Sequence, residues 1–342
     1  EPMSTEPISR TDLTDANLPV IDLSRTLDPD QVDGFREDLR RATHDVGFFY
    51  LVGHGIPDEL RTDLLTQARR FFALPEQEKR AIENVRSPHF RGWTRLGGEN
   101  TQGHQDWREQ IDIGPEAPAV DAPAHPWEVL QGPNQWPASQ PELKEVLNRW
   151  QGHLSGVAQL LLREWAAALG QPRDVFDAGF DTPSTLIKVV RYPSRQDHDQ
   201  GVGAHSDSGV LTLLWVEPGK GGLQVESHGR WIDAPPIDGA LIVNIGELLE
   251  VATNGYLKAT RHRVISPESD SRISVPFFYN PSLSANIPIL ELPAELAAEA
   301  SGVRAEPGNP IHATYGENAL KSRLRAHADV ARIHHPDLLV TS

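Results

Sequence analysis

The feature that most constrains the fold of this chain is the pattern of short segments in residues 184–282. Short segments rich in β-branched and aromatic residues alternate there with glycine and proline, as in LIKVVRY (186–192) and ISVPFFY (273–279). Short strands separated by turn residues are typical of β-sandwiches and barrels. The segment shows no βαβ alternation, and GKGG (219–222) lacks the pattern of a phosphate-binding loop and predicts a hairpin turn. We therefore predict a double-sheet jelly roll (a double-stranded β-helix) or a barrel.

The residues before and after this region predict mainly helices. The long segment 141–170 carries apolar residues at helical spacing, which we interpret as core contacts. We expect the helices to pack on the outside of the sheets, which gives an α+β fold. The predicted elements are a strand at 19–24, a helix after 28–30, a buried strand at 46–53, a helix at 57–73, an irregular loop at 115–137, and helices at 141–170 and 311–333.

The chain has 342 residues, which is enough to bury a sizeable core. We predict a flexible leader at residues 1–17 and a single domain at 18–342. Within the domain, 18–170 is expected to be mainly helical and 180–285 to form the jelly-roll core. Residues 286–342 are expected to form a C-terminal helical region.

Charge and composition exclude several classes of function. The formal net charge is −16, from 48 acidic and 32 basic residues, which opposes contact with nucleic acid or an anionic membrane. The chain has no cysteine, which excludes disulfides and thiolate ligands. No apolar run reaches about 20 residues, and the polar N-terminus lacks a signal core. We expect a cytoplasmic protein; the oligomeric state is left open and is compatible with a monomer.

Two histidines and one carboxylate form the strongest functional signal. His205 and Asp207 read H-x-D in GVGAHSDSGV, and His262 follows in RHRV. Residues i and i+2 of a strand point to the same side, so His205 and Asp207 share a face if this segment is extended. Two histidines and one carboxylate with open positions are typical of non-haem Fe(II) oxygenases. The alternative is a set of satisfied polar residues in a barrel without metal.

A second pair of residues follows the histidines along the chain. Arg272 and Ser274 also have i, i+2 spacing, in SRISVPFF. The planar guanidinium group and a neighbouring hydroxyl can bind a carboxylate together. The order of a metal triad followed by a carboxylate-binding pair is more specific than either motif alone.

With these motifs, the chain resembles the isopenicillin N synthase-like group of Fe(II)/2-oxoglutarate-dependent oxygenases. The resemblance covers nearly the whole chain, and many motifs occur in the same order as in the family. They include LPVIDLS (18–24), VGFFYLVGHGIP (46–57), HFRGWTRLGGE (89–99), DWREQIDIG (106–114), IKVVRYPS (187–194), GVGAHSDSGVLTLL (201–214), RHRV (261–264) and RISVPFFYNPS (272–282).

The resemblance implies Fe(II) as cofactor, with 2-oxoglutarate and O2 as cosubstrates. His205, Asp207 and His262 would bind the iron, and Arg272 and Ser274 would bind the distal carboxylate of 2-oxoglutarate. Tyr192 matches a tyrosine that helps to hold this carboxylate in plant relatives. The implied reaction hydroxylates, desaturates or cyclises a small molecule and releases succinate and CO2. Bacterial secondary metabolism, nucleobase oxidation and plant-hormone-like chemistry are all compatible with this class.

The chain departs from the family pattern at two positions. Val190 stands where an asparagine is frequent, two residues before Tyr192, and Lys188 and Arg191 lie beside it. This difference puts in doubt whether the chain makes the second set of contacts to 2-oxoglutarate that the family pattern implies. Glu247 replaces a frequent aspartate in NIGELLE, and we expect a structural role for it.

Candidate substrate contacts come from two segments. Phe278 has the parity of Arg272 and Ser274, although Pro276 could disturb the alternation. The segment HFRGWTRLGGE resembles the part of the family that covers the mouth of the site. Its side chains could bind an anionic or aromatic substrate, or form salt bridges with the many acidic residues nearby instead, and Phe278 could equally be a core residue. The substrate candidates are Phe278, Lys188, Arg91, Trp93 and Arg95.

Two alternatives to this function remain at the level of sequence. Isopenicillin N synthase itself has the R-x-S pair and does not use 2-oxoglutarate, so Arg272 and Ser274 alone do not prove the cosubstrate. A jelly-roll protein that binds metal without turnover is the alternative from another functional class.

Overall fold

The computed structural model describes residues 18–194, 200–303 and 306–339. The predicted flexible leader, residues 1–17, lies outside the described residues. The strands are β1 (Val20–Asp22), β2 (Phe48–Val52), β3 (Gly92–Thr94), β4 (Asn100–Thr101), β5 (His104–Gln105), β6 (Glu109–Ile113), β7 (Leu186–Tyr192), β8 (Gln200–His205), β9 (Leu211–Val216), β10 (Leu223–Ser227), β11 (Arg230–Asp233), β12 (Leu241–Ile245), β13 (His262–Ile265) and β14 (Arg272–Tyr279).

Two sheets built mostly from the strands of 186–279 form the centre of the fold. The larger has the order β1-β2-β12-β9-β14-β7-β6-β3, and the smaller has the order β11-β10-β13-β8. Paired neighbours are antiparallel except β1 and β2, which are parallel. Strands β4 and β5 form a separate hairpin. The jelly roll predicted from residues 184–282 is confirmed.

The N-terminal part contributes more β-structure than the sequence suggested. Strands β1 and β2 were predicted, but β3 and β6 extend the larger sheet beyond β7. Every residue of β6, with the sequence EQIDI, is buried. The strand is short and mostly polar, which gives a weak strand signal, and its polar residues are buried because distant residues pair with them: Gln110 donates to Glu99, and Asp112 accepts from Arg323.

Helices α1 (Val32–Asp45), α2 (Asp58–Phe72) and α4 (Pro141–Ala168) pack against strands of the larger sheet, which agrees with the expected α+β fold. Helix α4 begins with Pro141, which suits the first turn because its missing N–H would have no helical partner. Its Trp150 and Trp165 are fully buried and belong to the main hydrophobic core. The helices are α1 (Val32–Asp45), α2 (Asp58–Phe72), α3 (Glu76–Arg80), α4 (Pro141–Ala168), α5 (Glu247–Ala252), α6 (Ala294–Ala297), α7 (Tyr315–Ala326) and α8 (Ala328–His334).

The predicted C-terminal helix is divided in two. His327 has φ −128° and ψ 60°, which lies outside the helical region and separates α7 from α8. Among the helices of the described residues, none combines the length and apolarity that crossing a bilayer requires.

Candidate metal and cosubstrate site

Three side chains of the types that bind metal ions lie close together beside the smaller sheet. His205 is the last residue of β8 and His262 is the first residue of β13, and the two pair directly in the sheet register. His205 Nε2 lies 3.6 Å from Asp207 Oδ1, and His262 Nε2 lies 3.4 Å from the same atom. One ligand atom from each residue lies within 4.8 Å of the others. The two distant sequence motifs are therefore brought into one cluster.

Hydrogen bonds orient both imidazole rings. Nδ1 of His205 lies 2.7 Å from the Gly203 carbonyl oxygen, and Nδ1 of His262 lies 3.1 Å from the Thr260 carbonyl oxygen. A carbonyl oxygen only accepts, so Nδ1 carries the hydrogen in each ring. In the neutral form of each ring, Nε2 then carries the lone pair, which is the tautomer that a metal ligand needs.

The carboxylate is oriented in the same way. Asp207 Oδ2 accepts from Thr212 Oγ1 at 2.6 Å and from Asn244 Nδ2 at 2.8 Å, which leaves Oδ1 facing the histidines. Burial by itself would raise the pKa of Asp207, but the imidazoles of His262 and His205 hold this pKa well below its usual value. The group is therefore an ionised carboxylate suited to a divalent cation.

Arg272 is a buried cation whose donors lack acceptors. It is 1% exposed, and neither Nε nor Nη1 has a hydrogen-bond partner in the part of the chain that the structure describes. Its guanidinium lies 5.2 Å from the ring centroid of Tyr192. Burial lowers the pKa of Arg272, although Tyr192 and Glu217 partly offset this effect. An unsatisfied buried donor costs about 1–3 kcal/mol, so a carboxylate ligand would complete this site.

One cavity of 1260 Å³ contains the triad, Arg272 and Tyr192. Ser274, Pro276 and Phe278 line it together with Arg272, so every second residue of β14 faces the cavity. The register between β14 and β9 continues without a shift across Pro276. The alternation predicted from the sequence is present, and the proline does not disturb it.

A buried ion network forms the cavity wall beside Tyr192. Glu99 accepts from Arg108 at 2.7 Å and from Lys188 at 3.1 Å, and Arg108 Nη1 donates to Tyr192 Oη at 3.4 Å. Burial would raise the pKa of Glu99, but Arg108 and Lys188 hold it well below its usual value. Lys188 was a candidate from the sequence, whereas Glu99 and Arg108 were not. No local pattern marks them, because the network joins residues that are distant along the chain.

The surroundings of Arg91, Trp93 and Arg95 differ from those of a cover over the mouth of this cavity, and a role for them in substrate binding stays a prediction. None of the three lines the cavity that contains the triad. Trp93 is 3% exposed and belongs to the main hydrophobic core, and its Nε1 donates to Glu109 Oε1 at 3.3 Å. The pairing of β3 with β6 places residues 92–94 at an edge of the larger sheet.

The two arginines of this segment lie in different surroundings. Arg95 is half exposed and lies between Glu83 and Asp329, at 4.0 and 3.8 Å. Such surface pairs stabilise little, with a typical contribution of about 0–1 kcal/mol. Arg91 is buried and lines a second, smaller cavity.

The two departures from the family pattern lie close to the site. Val190 is fully buried in the smaller hydrophobic cluster and offers no polar contact. Glu247 Oε1 accepts from Ser206 Oγ at 2.8 Å, and its backbone N–H donates to the Asp207 carbonyl at 2.8 Å. Glu247 thus holds the loop between the ligands, which agrees with the structural role expected for it.

Two family descriptions match the chain. Residues 18–139 match the non-haem dioxygenase in morphine synthesis N-terminal family, and residues 184–281 match the 2OG-Fe(II) oxygenase superfamily. The second range contains the triad and the Arg272–Ser274 pair.

Curated relatives are similar over most of the chain. The 2-oxoglutarate-dependent dioxygenase frbJ of a Dothideomycetidae species is 35% identical and is covered over 94% of both chains. Homoarginine-6-hydroxylase 2-ODD-C23.2 of Arabidopsis thaliana is also 35% identical, over 80% of both chains.

Solved structures show the same fold. A full-length Neurospora crassa protein, determined in complex with alpha-KG, matches with a TM-score of 0.71 and 26% identity, over 89% of this chain and 95% of that chain. A putative 2OG-Fe(II) oxygenase family protein of Caulobacter crescentus matches with a TM-score of 0.72 and 27% identity, over 90% and 99% of the two chains.

The donor set of the site fits the cofactor and cosubstrate of these relatives. Two neutral imidazoles and one carboxylate suit a divalent iron with open positions. The buried donors of Arg272 suit a carboxylate such as that of 2-oxoglutarate. These matches favour an enzyme that uses 2-oxoglutarate over an oxidase without this cosubstrate and over a protein without turnover. The chain belongs to the 2OG-Fe(II) oxygenase superfamily and is an Fe(II)- and 2-oxoglutarate-dependent dioxygenase.

Proposed function

We propose that His205, Asp207 and His262 are the three iron ligands of this dioxygenase. The support is their convergence within 4.8 Å, with each ring fixed in the tautomer that leaves Nε2 free. Asp207 supplies the negative charge, and Thr212 and Asn244 hold its second oxygen away from the metal position. When bound, Fe(II) with 2-oxoglutarate and O2 supplies the oxidising power to attack an unactivated C–H bond.

We propose that Arg272 binds the distal carboxylate of 2-oxoglutarate, with Ser274 and Tyr192 beside it. The observation that carries this proposal is the pair of buried guanidinium donors, Nε and Nη1, without acceptors among the described residues. These unsatisfied donors leave the guanidinium group available to bind a carboxylate. Arg108 donates to Tyr192 and thereby orients its hydroxyl group, which leaves the phenol hydrogen available for the ligand.

We propose that the reaction is the hydroxylation of a small polar molecule. Phe278 lines the cavity at the end of β14 that is distant from Arg272, and Lys188 lies between the two ends, opposite Pro276 in the strand pair. Charged side chains of both signs line this cavity, which favours a polar substrate over a purely apolar one. Several curated relatives are named as homoarginine-6-hydroxylases, which makes polar amino acids a reasonable first class to screen.

The proposal is tested by adding 2-oxoglutarate to the Fe(II) protein without O2. Chelation of the metal by the keto acid gives a weak visible absorption band, and we expect this band in the wild-type protein. O2-dependent formation of succinate is then measured across a library of polar metabolites, with mass analysis of each product. A product heavier by one oxygen atom supports hydroxylation, whereas loss of two hydrogen atoms identifies desaturation or cyclisation. Absence of the band would contradict the proposed site.

The domain limits expected from the sequence stay a prediction, with residues 18–342 acting as a single oxygenase domain. A cytoplasmic location and a monomeric state are likewise predictions, which cell fractionation and light scattering would check.

A further inference from the structure

A second cavity, with a volume of 560 Å³, adjoins the one that contains the triad. The two share part of their walls, and Leu186 is one of the shared residues. In the register of β7 and β14, Leu186 stands opposite Phe278, whereas Tyr192 stands opposite Arg272. The second cavity therefore lies at the end of this strand pair that is distant from the proposed 2-oxoglutarate anchor. The residues that line both cavities are Leu186, Asn280, Tyr315, Ala319 and Arg323.

Arg91 is a buried cation in the wall of the second cavity. It is 5% exposed, and its guanidinium donates to the carbonyl oxygens of Leu130 and Pro115, at 3.3–3.5 Å. No carboxylate among residues 18–194, 200–303 and 306–339 lies within 4.0 Å of it. Burial lowers the pKa of Arg91 to about 10, and the positive charge of Arg323 contributes to the decrease, which the carboxylates of Glu116 and Asp112 offset in part.

The surroundings hold the Arg91 guanidinium in place, but its nearest counter-charges, Glu116 and Asp112, do not form an ion pair with it. Gly114 leaves the space that the group occupies, because a Cβ at this position would lie 2.5 Å from Arg91 Cζ. Arg323 is the neighbouring cation of the cavity, and its Nη1 donates to Asp112 Oδ2 at 2.8 Å. Within the described part of the chain, the charge of Arg323 is therefore paired and that of Arg91 is not. A buried charge without a counter-charge is costly, so an anionic ligand would stabilise this arrangement.

We propose that the second cavity is the far part of the substrate pocket and that Arg91 binds a carboxylate of the substrate. This proposal rests on the proposed function, because it places the reacting end of the same molecule at the triad. Trp127, Leu130 and Leu283 give the cavity an apolar wall that suits an aliphatic or aromatic body. Glu128 and Asp181 also line it, which disfavours a doubly charged phosphate and favours a group with a single negative charge.

The test uses octanoate and octanamide as probes, which differ in charge but hardly in shape. They are titrated into anaerobic Fe(II) protein saturated with 2-oxoglutarate, so that Arg272 is occupied and the probes compete only for other sites. We expect octanoate to bind about 10- to 100-fold more tightly than octanamide, as for a charge-assisted hydrogen bond. Arg91→Gln should abolish this preference. Arg95→Gln is the matched control from the same segment and should retain it.

A second variant and a second measurement keep the test decisive. Arg91→Lys retains the charge without the planar guanidinium group, so octanoate affinity should fall while octanamide affinity stays the same. This variant replaces Arg91→Gln in the test if Arg91→Gln does not fold. Octanoate should also raise O2-dependent succinate formation in the wild-type protein but not in Arg91→Gln. Equal affinity for the two probes would overturn the proposal, as would an unchanged preference in Arg91→Gln or octanoate binding that leaves succinate formation unchanged.

The same samples separate this proposal from the proposed function. The visible band of the 2-oxoglutarate complex is recorded before each titration. If the band is absent, the assignment of the triad and Arg272 fails. If the band is present and the carboxylate preference is absent, only the role of the second cavity is refuted.

Discussion

The replacement Arg272→Lys gives the sharpest test of the cosubstrate site. Arg272 Nε and Nη1 are buried without acceptors among the described residues, so the guanidinium group has donors available for a carboxylate. Lysine keeps the positive charge but cannot donate two parallel hydrogen bonds from a planar group. Loss of one charge-assisted hydrogen bond costs about 1.5–3 kcal/mol, so the Kd of 2-oxoglutarate should rise about 10- to 150-fold.

The change is measurable as a loss of stabilisation by ligand. A ligand at 100 times its Kd stabilises the folded state by about 2.7 kcal/mol. At the same 2-oxoglutarate concentration, a Kd raised 10-fold leaves about 1.4 kcal/mol, and one raised 150-fold leaves about 0.3 kcal/mol. Thermal unfolding of the Fe(II) protein with and without 2-oxoglutarate, recorded anaerobically, reports this difference. Titration of the visible band gives the Kd directly.

Arg191→Lys is the matched control for this replacement. Arg191 stands opposite Ile273 in the same strand pair, forms an ion pair with Glu109 at 3.3 Å and does not line the cavity. We expect its 2-oxoglutarate affinity to equal that of the wild-type protein. The reasoning is refuted if Arg272→Lys binds 2-oxoglutarate as tightly as the wild type, or if both lysine variants lose affinity equally.

Three further predictions concern the metal and the core. His262→Ala and Asp207→Ala should each abolish iron binding in anaerobic titration, because each removes one of three protein ligands; full turnover in His262→Ala would exclude the triad. Thr212→Val and Asn244→Ala remove the hydrogen bonds that orient Asp207, and each should weaken metal affinity about 10- to 100-fold in equilibrium dialysis. Trp93→Ala should lower the free energy of unfolding in urea by about 3–5 kcal/mol while 2-oxoglutarate affinity stays unchanged, because the side chain is core and not a substrate contact; a normal stability with altered substrate turnover would restore the role expected from the sequence.

Local periodicity was sufficient to predict several features of this protein. The alternation of β14 follows from strand geometry alone, so the common face of Arg272, Ser274 and Phe278 could be predicted without coordinates. The same holds for the helical spacing of the core residues in α4. The order of the motifs along the chain was also enough to identify the family, which the comparisons confirm.

Pairing between strands that are distant in sequence decided the remaining features of the site and the core. The register that sets His262 against His205 joins strands 57 residues apart in sequence numbering, and nothing local to either strand fixes it. The pairing of β3 with β6 buried Trp93 and placed residues 92–94 at a sheet edge. Burial of polar residues in β6 is possible because their partners come from distant segments, as Lys79 shows in its ion pair with Glu109.

The charged residues show most clearly what the sequence determines and what only the tertiary structure decides. The sequence alone determined that Arg91, Arg95, Lys188 and Arg272 are cations, but it offered no means to separate their roles. The tertiary structure paired Arg95 and Lys188 with carboxylates and, within the residues it describes, left Arg91 and Arg272 buried without them. The physical reason is that the cost of a buried charge depends on the partners that the fold brings within hydrogen-bonding distance, and these partners are remote in sequence.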